Sequence, residues 1–224
     1  MREIVLDTET TGLSAATGDR LIEVACLELV NHLPTGKHFQ RYVNPDRPVS
    51  PDAFAVHGLG DAFLADKPRF GEIADELFAF IGDSPLVIHN AEFDIGFLNA
   101  ELAHLGRPPL DPTRATDTVT VARRKFPGAP ASLDALCKRF AIDNSARTRH
   151  GALLDAELLA EVYLELVGGR QAGLALLPDA AVRTEIAVAR TVLARPPRPH
   201  APSAEELARH AALVARLNDP IWRL

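Results

Sequence analysis

Apolar and polar positions change period several times along the chain, and the changes mark its elements. Apolar, strand-like runs span Ile4 to Asp7, Leu21 to Val30, Lys37 to Val43 and Leu86 to His89, with Gly, Pro and Asn punctuating between them. Helical stretches are predicted at about Phe70 to Ile81, Asp94 to Leu105, Asp117 to Lys125, Ser132 to Phe140 and Gly151 to Val167. In the last of these Leu154, Leu158, Val162 and Leu166 recur at helical spacing, which leaves another face free to present Asp155. Early strands followed by helices around a further strand predict an α/β fold, a mixed sheet flanked by helices.

Composition narrows this without deciding function. At 224 residues the chain can bury one substantial core with room for an appendage. A hydrophobic content of 47% and a mean hydropathy of +0.01 predict a soluble globular protein. Cys26 and Cys137 lie in apolar stretches with neither disulfide nor metal-ligand spacing, and read as small core residues in a reducing compartment. The N-terminus carries no charged-then-apolar leader and no apolar run reaches membrane-spanning length, so a cytoplasmic protein without a membrane partner is expected.

The net charge of −6 argues against a broad basic surface for nucleic acid. Residues 1–177 hold 17 Lys and Arg against 25 Asp and Glu, a net −8, which leaves +2 for the remainder. The runs Arg123-Arg124-Lys125 and Arg147-Thr148-Arg149 read either as solvated faces or as contacts to a phosphate backbone. A protein of this charge would hold nucleic acid only weakly and would depend on a partner to bring it there.

Part of the acidic excess is concentrated in three short segments. Asp7 and Glu9 follow the first apolar run two residues apart, so a strand would point both to one face. Asp94 follows Leu86-Val87-Ile88 within His89-Asn90-Ala91-Glu92-Phe93-Asp94, and His150 precedes Asp155 at the opening of a helical stretch. Four gathered carboxylates suit a pair of hard divalent cations, Mg²⁺ or Mn²⁺, which together stabilise the attacking and leaving oxygens of a phosphodiester displacement. A histidine beside them can take the proton of the attacking water. Taken singly each element has a plainer reading: a turn, a favourable acid near a helix start, or a surface histidine.

These segments resemble the motifs of the DEDD 3′–5′ exonucleases, in the branch whose third motif carries His five residues before the last acid. Further likeness, over about residues 2–170, lies in Val56-His57-Gly58-Leu59, Thr116-Asp117-Thr118, Phe126-Pro127-Gly128, Ser132-Leu133-Asp134-Ala135-Leu136-Cys137, Asp143-Asn144-Ser145 and Arg149-His150-Gly151-Ala152-Leu153-Leu154-Asp155-Ala156. Together they look like the proofreading epsilon subunits of bacterial DNA polymerase III. The resemblance implies a ribonuclease-H-like fold and removal of mispaired 3′-terminal nucleotides. It implies two metal ions held by Asp7, Glu9 and Asp155, with Asp94 partly through water, and His150 as general base. It places Asp52 and His57 beside the terminal nucleotide, with Thr10, Thr11, Leu13 and Asn90 shaping its pocket. His57 as a turn cap and Asp52 as a helix-starting acid after Pro51 are the alternative readings.

The chain changes character after Gly168-Gly169, which ends a nuclease domain expected over 1–170. Residues 171–177, with Gln171, Leu174 and Leu176, resemble the short motif by which bacterial proteins dock into the beta sliding clamp; a helix end packing its leucines on the core is the other reading. Residues 178–202, ending in Arg195-Pro196-Pro197-Arg198-Pro199-His200-Ala201-Pro202, read as a linker. Ser203-Ala204-Glu205-Glu206 is a capping-box pattern that starts a short helix in 203–224. Leu207, Ala211, Val214 and Leu217 line one side of it, and Trp222 follows. A helix this short needs a surface to bury against; the resemblance names the polymerase alpha subunit, reached through Leu207, Val214, Leu217 and Trp222.

Overall fold

The chain divides between residues 174 and 175 into two units, and a computed structural model describes residues 1–169 of the first and 201–218 of the second. The expected clamp motif, most of the linker and Trp222 lie outside the described residues. Among the described residues no helix is long and apolar enough to cross a membrane.

The first unit is built on five strands: β1 (Arg2–Thr10), β2 (Leu21–Val30), β3 (Leu33–Tyr42), β4 (Leu86–Ile88) and β5 (Ala115–Asp117), in the order β3-β2-β1-β4-β5. β1 pairs antiparallel with β2 and parallel with β4, so the sheet is mixed, as the sequence pattern predicts. Among the described residues of this unit seven α-helices accompany the sheet: α1 (Pro51–His57), α2 (Asp61–Leu64), α3 (Phe70–Ile81), α4 (Ala91–His104), α5 (Thr118–Lys125), α6 (Leu133–Phe140) and α7 (Ala152–Leu166).

Alternation along β1 divides the core in two. Ile4 and Leu6 face a cluster made with Leu77, Ile81, Leu98 and Leu102 of α3 and α4. Val5 faces the opposite cluster, with Leu136 and Cys137 of α6 and Leu159, Val162 and Leu166 of α7. Cys26 and Cys137 are free and buried, one in each cluster, as expected. Arg20 clamps the layers: its guanidinium donates in a fork to both oxygens of buried Glu101 on α4, each at 2.7 Å.

Three elements escape the periodicity. β5 is three residues of Ala-Thr-Asp with no apolar run, formed because Leu86, Val87 and Ile88 supply a parallel edge. α1 is set by its ends rather than its period: the Ser50 side chain caps Ala53 N–H, Pro51 occupies the first turn, and Gly58 closes the helix at φ +74°. α2 is one turn long. α4 starts at Ala91, three residues before the predicted start, because Asn90 takes a left-handed conformation (φ +69°) that turns the chain sharply out of β4.

In the second unit, α8 (Ala204–Val214) begins where the capping box predicts. Ser203 Oγ accepts from Glu206 N–H at 3.3 Å, and Glu206 Oε2 accepts from Ser203 N–H at 2.8 Å. Leu207, Leu213 and Leu217 on this segment are exposed.

Candidate active site

The last residue pairs of β1 with β4 are Ile4↔Leu86 and Val5↔Val87, after which β1 continues past the end of its parallel neighbour. A crevice opens at the carboxyl ends of these two strands, the usual location of sites in such sheets. Asp7 and Glu9 lie on this overhang. The β1–β2 register slips between Glu9 and Thr10, a bulge of the kind found beside functional sites.

Helices bring the other groups. Asp155 lies in the first turn of α7 on the Val5 face, and Asp94 in the first turn of α4 on the Leu6 face, so the acids reach the crevice from opposite sides of the sheet. Thr8, pointing away from Asp7 and Glu9, donates its hydroxyl to Asp94 Oδ1 at 2.7 Å and anchors that second approach. His150 is held from the α1 side, its backbone N–H donating to Val56 O at 3.2 Å. The result is a cavity of about 860 Å³ lined by Asp7, Glu9, Asp94, His150 and Asp155 together with Thr10, Leu13, Asp52, His57 and Asn90.

Thr11 is placed differently from the other predicted pocket residues. It is fully buried outside the lining, donates to Asp19 Oδ1 at 3.2 Å and accepts from Arg20 N–H at 3.0 Å. It thus ties the segment carrying Thr10 and Leu13 to the start of β2. Leu13 stands 87% exposed at the mouth.

Crowded carboxylates in a buried crevice resist ionisation. Burial, then the charges of Asp94, Asp155 and Glu9, raise Asp7 well above the usual carboxylate range. Glu9 is pushed up to about 8 by burial and by Asp155, Glu23 and Asp94, and Asp94 to about 7 by burial. Asp155 goes the other way. Burial would raise it, but the hydrogen bonds from Arg147, with His150 close by, prevail and leave it lowered. Arg147 Nε and Nη2 donate to the two Asp155 oxygens, each at 2.6 Å.

Glu9, His150 and Asp155 offer ligand atoms all within 4.8 Å of one another. Oxygen donors, one imidazole and an excess of negative charge suit a hard divalent cation. Asp7 and Asp94 line the same cavity outside this cluster of three.

The sequence pattern of the RNase_T exonuclease family matches residues 4–163. DNA polymerase III subunit epsilon of Rickettsia conorii is 45% identical over 228 residues, 97% of this chain and 96% of the relative. The subunit of the same name from Escherichia coli K12 is 53% identical over 176 residues, 75% of this chain and 72% of the relative. The chain belongs to the epsilon-subunit family of 3′–5′ exonucleases. A solved structure of the nuclease domain of 3′hExo, a DEDDh family member, superposes with a TM-score of 0.64 at 16% identity, over 74% of this chain and 91% of that one. At that identity the likeness speaks for the fold, and the five-stranded mixed sheet is the ribonuclease-H-like fold that membership of the epsilon family implies.

Sequence reasoning about this epsilon-family chain missed three supporting residues. Thr8 is one. Glu23, buried opposite Glu9 on β2, is another: it accepts from Ala152 N–H at 3.2 Å and so caps α7, whose preceding Gly151 has no side chain to do so. Arg147 is the third, read from sequence only as part of a basic run. An acid in mid-strand at Glu23 was the one visible signal; the partners depend on register and on the path of a loop.

Proposed function

We propose that this exonuclease is the proofreading subunit of a replicative DNA polymerase III, and that it hydrolyses the 3′-terminal phosphodiester of a frayed primer strand. What supports the reading is the convergence of Asp7, Glu9, Asp94, Asp155 and His150 on one cavity in a chain of this family. Asp7, Glu9 and Asp155 would hold divalent ions directly, and Asp94 partly through water. Mg²⁺ or Mn²⁺ bound there would neutralise the carboxylate cluster and the developing charge on the phosphate.

The chain's own residues do the rest. His150, half-exposed beside Asp155, accepts a proton from the attacking water. The water oxygen bonds to phosphorus, the bond to the 3′ oxygen of the penultimate nucleotide breaks, and that oxygen leaves as a new 3′ hydroxyl after protonation. A nucleoside 5′-monophosphate is released. Asp52 and His57 on α1 would flank the terminal nucleotide, with Thr10, Leu13 and Asn90 shaping its pocket, which all five residues line. Thr11 acts from behind, through the loop that carries Thr10 and Leu13.

Mismatch preference follows from access rather than base reading. A mispaired end frays more readily, and a narrow site serves single strands. With a net charge of −6 the protein relies on tethering for DNA affinity. The segment 203–224 would bind the polymerase alpha subunit through Leu207 and Val214 of α8 and Leu217 just beyond it, with Trp222. Gln171, Leu174 and Leu176 would engage the beta sliding clamp; residues 178–202 serve as linker. In a cell these contacts would keep it at the replisome in the cytoplasm.

The test is product analysis on a single-stranded oligodeoxynucleotide with Mg²⁺ or chelator, for wild type, D7A and H150A. The proposal expects 5′-monophosphates from wild type with metal alone; 3′-monophosphates, or undiminished hydrolysis in either variant, would reject it. Clamp and alpha-subunit pull-downs with Gln171→Ala, Leu174→Ala and Leu207→Ala expect lost capture, and unchanged capture would reject the tethers.

A further inference from the structure

The guanidinium of Arg147 lies where a metal would have to reach Asp155. It is deeply placed, 7% exposed against 4% for the Asp155 side chain, and forms a fork with both Asp155 oxygens at 2.6 Å. Its third nitrogen donates to Asp134 Oδ1 at 2.8 Å, where Asn144 Nδ2 also donates at 3.0 Å. Nη2 further lies 2.9 Å from His150 Nδ1. Arginine carries only donors. A proton on Nδ1 of neutral His150 would face another N–H, so the lone pair sits on Nδ1 and the proton on Nε2. In that state the imidazole's accepting nitrogen is engaged by Arg147.

We infer that Arg147 is a positioning residue for both the metal and the base: a resident cation that holds Asp155 and His150 in the unloaded site and gives up Asp155 when a divalent ion binds. Asp134 keeps the displaced guanidinium within reach, because that contact does not involve Asp155. With the guanidinium withdrawn, exchange with solvent water can move the imidazole proton from Nε2 to Nδ1, which then donates to Asp155 Oδ2, already 3.3 Å away, and leaves Nε2 as the accepting nitrogen. One side chain thereby links loading of the site to the tautomer of its base. The inference rests on the reading of Asp155 as a metal ligand.

The consequence is competition. Two charge-assisted bonds to Asp155 must be broken before an ion can take its oxygens, so removing Arg147 should tighten metal binding. The experiment is Mn²⁺ titration of the full-length protein followed by the electron paramagnetic resonance of free Mn²⁺, for wild type, R147A, R147K, R149A and D7A. Arg149 carries the same charge two residues away and packs over Gly58 instead of Asp155, so it controls for charge alone.

R147A is expected to bind Mn²⁺ at least about tenfold more tightly than wild type, equivalent to about 1.4 kcal/mol. R147K, which keeps the charge but loses the planar fork, should fall between them, and decides the matter if R147A does not fold. R149A should stay within about twofold of wild type. Equal Mn²⁺ affinity in wild type, R147A and R147K would overturn the inference, as would tightening by R149A that matches R147A; either leaves the metal reading standing. Saturable binding that D7A weakens supports the metal reading, and its absence from wild type would overturn both.

Discussion

Replacing Glu9 by Gln should make the metal-free protein more stable while blunting its response to divalent ions. Glu9 is 8% exposed, and burial, followed by the charges of Asp155, Glu23 and Asp94, moves its carboxyl from 4.5 to about 8. A carboxyl with a raised folded value binds its proton more tightly when folded, so stability is lost as pH rises. The loss begins near the unfolded value and is complete above the folded one. At about 1.36 kcal/mol per unit of pKa, ionisation of Glu9 costs ~3 kcal/mol by pH 7 and ~5 kcal/mol above pH 8. The glutamine side chain has the same shape and no proton to lose. At about 2–4 °C per kcal/mol for a domain of this size, relief of ~3 kcal/mol raises Tm by roughly 6–12 °C. The assay is thermal unfolding from pH 5 to pH 8 with chelator, repeated with Mn²⁺. Wild type should lose Tm as pH rises, Asp94 (about 7) contributing with the same sign, and E9Q should lose less. Mn²⁺ should restore wild type most at high pH, where the ligands are ionised, and E9Q less. A metal-free E9Q no more stable than wild type at pH 8 would refute the reasoning.

Other residues give independent checks. His150→Gln should slow single-turnover hydrolysis by about 10²–10⁴ while saturable Mn²⁺ binding persists; loss of both would make His150 a ligand rather than a base. Arg20→Ala leaves the buried Glu101 carboxylate without its fork, and urea unfolding should show a loss of about 3 kcal/mol or more; a loss under about 1 kcal/mol would mean that Glu101 is satisfied without it. Gly58→Ala adds a Cβ at a left-handed position against the Arg149 side chain. It should cost about 1–2 kcal/mol of stability and, because His150 N–H bonds Val56 O, reduce kcat more than a surface substitution of equal stability cost.

What the sequence made legible was local. The strand period puts Asp7 and Glu9 on one face, and the structure keeps them on one overhang of β1. The capping box at Ser203 locates α8 to the residue. The α7 pattern was only half the story: Leu158, Val162 and Leu166 are buried as expected, yet Leu159, Ala160, Tyr163 and Asp155 are buried too. The helix is packed by sheet on one side and by α5 and α6 on another, and its open face carries Glu157 and Glu161 rather than Asp155. Asp155 instead lies at its first turn, where the crevice begins. Glu23 and Arg147 were illegible because their roles depend on strand register and on how the loop before α7 returns to the site. Thr8 points away from the acids of its own strand, and matters only because α4 carries Asp94 to the other face of the sheet.

The most direct measurement is time-resolved digestion of a 5′-labelled primer annealed with a paired or mispaired 3′ end, with Mg²⁺, with Mn²⁺ and with chelator, for wild type and D7A. The account predicts metal-dependent shortening from the 3′ end, faster on the mispaired primer and lost in D7A. Equal rates on paired and mispaired ends, digestion of RNA but not DNA, or shortening that survives chelator or D7A would contradict it.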